Sequence, residues 1–303
     1  MKTTQLLLIG VSVLFACETE DLRFSHLPRN SRLNDNQALT MLATVSAIGN
    51  CNYVFSESSI TGTWTTLLDE QFTNLTNWNV WNSGAYNNEL QLYRPQNLVL
   101  SNGNLQIVAK KETVTGTTQP GSTTTKRFNY TSGRIESKSL YSAGTGTNQY
   151  PMIRMVARIK LPAGYGMWPA FWSYGDPWPT QGEIDILEAK GQEPSTYYTN
   201  YFYGTAVNTN LVSGATTTVN SSVSLQSCFH VYEMVWEANK LSFYLDGQLV
   251  DTKTGTYVNA LFGKSEKVVL NLAVGGNFFS SLITRNIVPG TMEVDWVKVY
   301  RGN

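Results

Sequence analysis

From Trp64 onward the chain is a succession of short β-rich runs cut by turn signals, and no long segment keeps the helical period. Asn102-Gly103 separates Asn97–Leu100 from Leu105–Ala109, and Asp246-Gly247 separates Leu241–Leu245 from Gln248–Asp251. Both dipeptides accept the positive φ of a two-residue hairpin turn, so each set predicts a hairpin. Further strands are predicted at Met152–Leu161, Met167–Trp172, Gly182–Glu188, Thr199–Tyr203, His230–Trp236, Lys267–Leu272 and Met292–Tyr300. The Thr- and Gly-rich stretch Thr113–Arg127 reads as a loop, as does Tyr141–Asn148. Many short strands without intervening helices predict an all-β sandwich, with one face of each sheet buried. No internal repeat and no second domain is visible.

Composition narrows the partner. Lys plus Arg equals Asp plus Glu at 22 each, which gives no net electrostatic case for nucleic acid or an anionic membrane surface. Eight Trp and 16 Tyr suit a ligand with apolar faces and hydroxyl edges. Met1-Lys2 and the apolar run Leu6–Ala16 have the form of a signal peptide over residues 1–16, too short for a membrane span. The run ends Leu14-Phe15-Ala16-Cys17, which resembles a bacterial lipoprotein signal and marks Cys17 for lipidation. The mature chain is then expected as a lipoprotein of the cell envelope or outer membrane, touching the membrane only through its anchor, with a secreted protein as the alternative if the cysteine is incidental. Residues 17–61 are polar and weakly patterned and read as a tether or irregular extension. Cys51 and Cys228 could pair or remain two thiols. Three cysteines with His26 and His230 show no ligand-type spacing, so no zinc or iron–sulfur site is expected. Neither histidine sits in a nucleophile-elbow motif, which leaves carboxylates for acid–base chemistry.

Those carboxylates are concentrated in Gly182-Glu183-Ile184-Asp185-Ile186-Leu187-Glu188. On a strand, Glu183 and Asp185 share one face while Ile184 and Ile186 share the other. Strict alternation would bury Glu188. A β-bulge at Ile186-Leu187 adds one residue and returns Glu188 to the face of the other two acids. Just upstream, Trp168 and Trp172 share a strand face with Ala170, about 13 Å apart at 3.3 Å per residue, a spacing that suits sugar rings stacking on indoles.

Glu183–Glu188 and Trp168–Trp172 together resemble glycoside hydrolase family 16, in its bulged-strand branch of laminarinase-type endo-β-1,3-glucanases. Further matches are Asn87–Gln91, Tyr130–Ile135, Ala157–Pro162, Phe229–Tyr232, Asn271–Gly276 and Val294–Tyr300. The resemblance spans Trp64 to Tyr300 and identifies 62–303 as a catalytic domain. It implies a concanavalin-like β-jelly roll of two antiparallel sheets with a concave substrate groove. It implies Glu183 as nucleophile, Glu188 as general acid/base and Asp185 as the helper between them, cleaving internal β-1,3 or mixed β-1,3/1,4 linkages with retention. Crowding of three acids should hold one proton in the cluster near neutral pH, with the raised pKa expected at Glu188. The same resemblance places Trp168, Trp172, Asn88 and Arg158 at substrate subsites, and Trp178 extends the aromatic floor. No cofactor is implied for catalysis. A structural calcium is implied at Asp295, with Gly103 and Gln71 as carbonyl ligands. A monomer acting on a β-glucan is expected. Ile153-Arg154-Met155-Val156 and Phe202-Tyr203-Gly204 depart from the family pattern; related enzymes act on agar, carrageenan, porphyran or xyloglucan or transfer the glycosyl unit to a second sugar, and a non-catalytic carbohydrate-binding sandwich is the alternative from another class. The groove of this chain is therefore expected to have its own preference.

Overall fold

The computed structural model describes residues 48–303. The expected signal peptide, Cys17 and the first part of the expected tether lie outside the described residues. In chain order the strands are β1 (Trp64–Glu70), β2 (Trp78–Val80), β3 (Gln91–Tyr93), β4 (Leu98–Ser101), β5 (Asn104–Val108), β6 (Val114–Thr117), β7 (Thr125–Phe128), β8 (Tyr130–Ser132), β9 (Arg134–Ser137) and β10 (Met152–Lys160). They continue with β11 (Met167–Tyr174), β12 (Glu183–Ala189), β13 (Thr196–Phe202), β14 (Thr217–Asn220), β15 (His230–Glu237), β16 (Lys240–Leu245), β17 (Gln248–Thr254), β18 (Lys267–Val274) and β19 (Thr291–Gly302). A single short α-helix, α1, covers Thr256–Leu261 among the described residues.

Two antiparallel sheets form the sandwich predicted above. One runs β17-β16-β15-β10-β19-β5-β4, with β1 also paired to β19; the other runs β14-β13-β12-β11-β18-β9-β2. Alternation sorts the side chains. On β10, Met155, Ala157 and Ile159 are fully buried between the sheets, opposed from the other layer by Phe171, Ile184, Leu187 and Leu270. Removing apolar surface of this kind from water supplies roughly 25 cal/mol per Å². Both predicted hairpins are present, and their turn residues Asn102, Gly103, Asp246 and Gly247 all have positive φ. The expected loop Thr113–Arg127 instead contains the β6–β7 hairpin. Its threonines are good strand formers, and the composition of the turn between them obscured the pairing.

Residues 48–61 also depart from expectation, because they belong to the sandwich rather than to a tether. Cys51 is disulfide-bonded to Cys228. Phe55 lies 5.1 Å from the Trp296 ring and, with Tyr53, Trp64 and Trp296, covers a second apolar cluster of Val156, Val231 and Tyr300. Arg154 donates to Glu57 O at 2.6 Å and Ser59 Oγ at 3.1 Å while its Nε binds Glu233 Oε1 at 2.6 Å. A buried guanidinium thus spends its donors on this segment and on one carboxylate, as a desolvated charge must.

Candidate active site

The site is built on β12, and its register carries the predicted bulge. Opposite β11, Phe171 pairs with Leu187 but Trp172 already pairs with Asp185; opposite β13, Asn200 pairs with Asp185 and Tyr198 with Glu188. One extra residue therefore sits between Asp185 and Glu188. Ile184, Ile186 and Leu187 are all at most 1% exposed and point into the core. Glu183, Asp185 and Glu188 emerge together on the opposite face, where the two glutamates keep part of their surface open and Asp185 is 2% exposed.

The tryptophans hold the acids. Trp178 Nε1 donates to Glu183 Oε2 at 2.5 Å, and Trp168 Nε1 donates to Glu188 Oε1 at 2.9 Å. Trp172 Nε1 instead donates to Asn271 Oδ1 at 2.7 Å, with its ring stacked on Tyr174 at 5.1 Å. All three indoles expected to bind substrate therefore reach the acid face. Trp168 does not offer both ring faces, however: Phe278 lies parallel to it, 4.8 Å away. Asn88 stands on the same rim, donating to Asn277 Oδ1 at 2.9 Å. Gly276, at φ 96°, passes so close to Trp168 that a Cβ there would lie 3.0 Å from the ring.

Arg158 corrects the expectation of a substrate contact. It lies on β10, in the other sheet, and its Nη1 meets Asp295 Oδ2 at 2.5 Å. Strand alternation directs it outward, away from the core and from the acids beyond it. Asp295 on β19 was the expected calcium ligand, so its charge is already neutralised by a guanidinium. The register does gather the other expected ligands: Val294 pairs with Leu105 near Gly103, and Val297 pairs with Glu70 next to Gln71. The expected ligands thus lie on or next to neighbouring strands of one sheet, and Asp295, the one carboxylate among them, is paired with Arg158.

Sequence reasoning missed Arg134 and its surroundings. Arg134 lies on β9 opposite Asn271, with its guanidinium 3.8 Å from the Trp81 ring and 4.8 Å from Trp172, and Nη2 2.7 Å from Glu136 Oε1. Glu89, 8% exposed, accepts from Gln91 Nε2 at 2.6 Å and Tyr93 OH at 2.9 Å, and Asn271 Nδ2 donates back to that phenol at 3.2 Å. The signal available was alternation within Arg134-Ile135-Glu136, which puts the two charges on one face. The strand order that brings this face beside β12 was not available.

Electrostatics set the acids apart from ordinary surface carboxylates. Burial, then the Glu188 charge, pushes Glu183 up to about 8, against the Trp178 N–H and the Arg134 cation. Burial raises Glu188 to about 7, opposed by the Trp168 N–H and reinforced by Glu89. Asp185, buried and flanked by both glutamates, is pushed well above the carboxylate range, and its Oδ2 has no hydrogen-bond partner. This corrects the expectation that the raised pKa belongs to Glu188, because Glu183 and Asp185 are raised further and the retained proton belongs to the trio. Behind the strand, buried Glu266 accepts from Ser173 Oγ at 2.6 Å, and burial raises it to about 8. Such an arrangement can attack and protonate, because some carboxyls in it keep protons near neutral pH while others can ionise.

Comparison with known proteins agrees with this geometry. Residues 86–298 match the model of the glycosyl hydrolases family 16. The chain is 32% identical over 236 residues to glucan endo-1,3-beta-glucosidase A1 of Niallia circulans, covering 72% of this chain but 33% of that protein. It is 30% identical over 270 residues to the glucan endo-1,3-beta-glucosidase of Cryptopygus antarcticus, covering 80% of this chain and 94% of that one. Among solved structures, the endo-beta-1,3-glucanase of Pyrococcus furiosus superposes with a TM-score of 0.66 at 30% identity, over 80% of this chain and 96% of that chain. The two-sheet fold, the bulged acidic strand and these matches lead to one conclusion: the chain belongs to glycosyl hydrolase family 16 and is a glycoside hydrolase.

Proposed function

We propose that the protein is an endo-acting β-glucanase that cleaves internal β-1,3 or mixed β-1,3/1,4 linkages with retention of configuration. The observation that carries this is the bulge, which sets two partly exposed glutamates and one buried aspartate on a single strand face. Retaining cleavage uses two carboxyls about 5–5.5 Å apart, one attacking the anomeric carbon while the other protonates the leaving oxygen. Glu183 is assigned as nucleophile because Trp178 and Arg134 both favour its anion. Glu188 is the acid that donates to the glycosidic oxygen and then, as a base, takes a proton from the incoming water. Asp185, beside Glu183, shifts a proton towards it when the glycosyl bond releases its charge. Raised pKa values in the free site do not themselves divide these roles, and each glutamate accepts one indole N–H; the Arg134 cation, which acts on Glu183, supports the division.

Substrate choice rests on relatives that are glucanases, and on an aromatic face suited to sugar rings. Reducing-sugar release from laminarin, barley glucan, lichenan, agarose and carrageenan tests it. Turnover is expected on the first three substrates, and activity confined to agarose or carrageenan would overturn the reading. We extend the proposal to a monomeric, exported, lipid-anchored protein with Cys17 as the acylated residue. Mass measurement of the membrane-extracted chain, followed by sizing in detergent, checks both points. Calcium at Asp295, with Gln71 and Gly103, completes the proposal as a stabiliser remote from the acids. A chelator should lower the melting temperature and added calcium restore it; an unchanged melting temperature would leave Arg158 as the sole counter-charge.

A further inference from the structure

Away from the acids, the structure gathers a second chemical cluster at the outer end of β15. Cys228 Sγ lies 3.1 Å from His230 Nε2, and the ligand atoms of Cys51, Cys228 and His230 all fall within 4.8 Å of one another. His230 is fully buried, and its Nδ1 meets Asp246 Oδ2 at 2.7 Å. That carboxylate is fixed in turn: Oδ1 accepts the Val231 N–H at 2.8 Å and Oδ2 the Asn50 N–H at 2.7 Å. In the tautomer whose Nδ1–H donates to Asp246, the Nε2 lone pair is aimed at the sulfurs. A histidine oriented in this way, with one nitrogen tied to a carboxylate and the other free, is the arrangement that metal ligands adopt. In the described chain the two sulfurs are bonded to each other, so neither is available as a thiolate.

We propose that Cys51, Cys228 and His230 form a redox-gated site for a thiophilic divalent cation of the zinc class, with Asp246 as the positioning residue. A trialkylphosphine opens the site with one water: phosphorus takes the oxygen, the S–S bond receives two electrons, and the two protons of water end on the two sulfurs. The cation then displaces both protons and binds two thiolates and the Nε2 lone pair, leaving a fourth position for water. Bonds of roughly 2.3 Å to sulfur and 2.0 Å to nitrogen require the sulfurs to part from their bonded 2.03 Å to about 3.7 Å, a span within the size of the cluster. Bound there, the ion takes over the task of the disulfide, fastening the segment that carries Tyr53 and Phe55 to the outer sheet. Spacing in the sequence concealed the site, because Cys51 precedes Cys228 by 177 positions.

The test uses the full chain carrying Cys17→Ser, so that the third cysteine supplies no sulfur, reduced with phosphine and then freed of it without air. Titration with cobalt(II) should give one equivalent bound, with a thiolate-to-metal charge-transfer band and the intense visible absorption of a tetrahedral ion. Zinc should displace it and raise the melting temperature of the reduced chain. Asp246→Asn should weaken cobalt about 10–100-fold, as loss of such a partner does elsewhere, and His230→Gln at least tenfold. The oxidised chain, whose disulfide keeps the segment in place whatever the variant, should show no band. A reduced chain without the charge-transfer band, or equal affinity in His230→Gln, would overturn the site, as would the same band in the oxidised chain.

Discussion

The outward face of one sheet and the acid strand of the other treat charge in opposite ways. On the outward face of the sheet containing β10 and β19, Arg154 meets Glu233, Arg158 meets Asp295, Lys160 meets Glu293 and Lys298 meets Asp69. On the exposed face of the other sheet, β12 carries three carboxyls whose donors are mainly indole N–H groups, and Asp185 Oδ2 has no partner at all. Both faces are built by the same alternation. One uses pairing to remove the cost of charge, while the other keeps that cost and holds protons instead. Function lies where the pairing has been withheld.

The largest effect should come from altering the unpaired face. Glu183→Gln and Glu188→Gln are each expected to lower kcat by at least about 10³-fold, within the range for removing a positioned acid or base, with circular dichroism unchanged. Activity within tenfold of the parent in either variant would sink the role assignments. Deleting Leu187 keeps all three acids but removes the bulge. Strand phase then sends Glu188 into the space now filled by Leu187. Hydrolysis should fall as far as in the glutamine variants, with a lower melting temperature as well, and an active deletion would mean that the bulge is dispensable.

The paired face should respond in stability rather than turnover, and in proportion to burial. Arg154→Ala leaves Glu233, fully buried, without its counter-charge, for an expected loss of about 3–5 kcal/mol in denaturant unfolding. Arg158→Ala removes a partly exposed pair and should cost less than about 1 kcal/mol. Equal losses would erase the contrast between a desolvated pair and a solvated one.

A smaller effect follows from pH. Glu183 is raised to about 8 and Glu188 to about 7 from a usual value of 4.5. Above the unfolded value the unfolded chain releases protons that the folded trio retains, so the trio costs stability progressively from about pH 4.5 to about pH 8. Glu183→Gln relieves part of that cost. Its melting temperature relative to the parent should therefore rise between pH 5 and pH 8, by about 2–4 °C for each kcal/mol relieved. A gap that stays constant or narrows over this window would show that the acids are ionised from the start.

How much of this could be read from the sequence depends on how local each feature is. The bulge was legible because its cause lies within six residues: two isoleucines fix the buried phase, and the third acid is one position out. Turn residues 102–103 and 246–247 declared both hairpins for the same reason. Arg158 was misplaced because its motif fixes a strand but not the sheet it joins; that depends on pairing with β15 and β19, more than 70 positions away. Arg134 was missed by the converse failure, since only strand order sets it beside Trp172. Residues 48–61 looked like a tether because two aromatics and one cysteine are too sparse to show a period. Their partners, Trp296 and Cys228, lie far along the chain.

The central claim is that the bulge-aligned Glu183 and Glu188 act as a nucleophile and acid/base pair in a double displacement. Proton NMR of the anomeric signals during the first turnovers on laminarin tests it most directly. Two inversions at the same carbon predict that the β anomer of the new reducing end appears first and the α signal grows only by mutarotation. An α signal that leads would mean a single displacement, and would contradict the account.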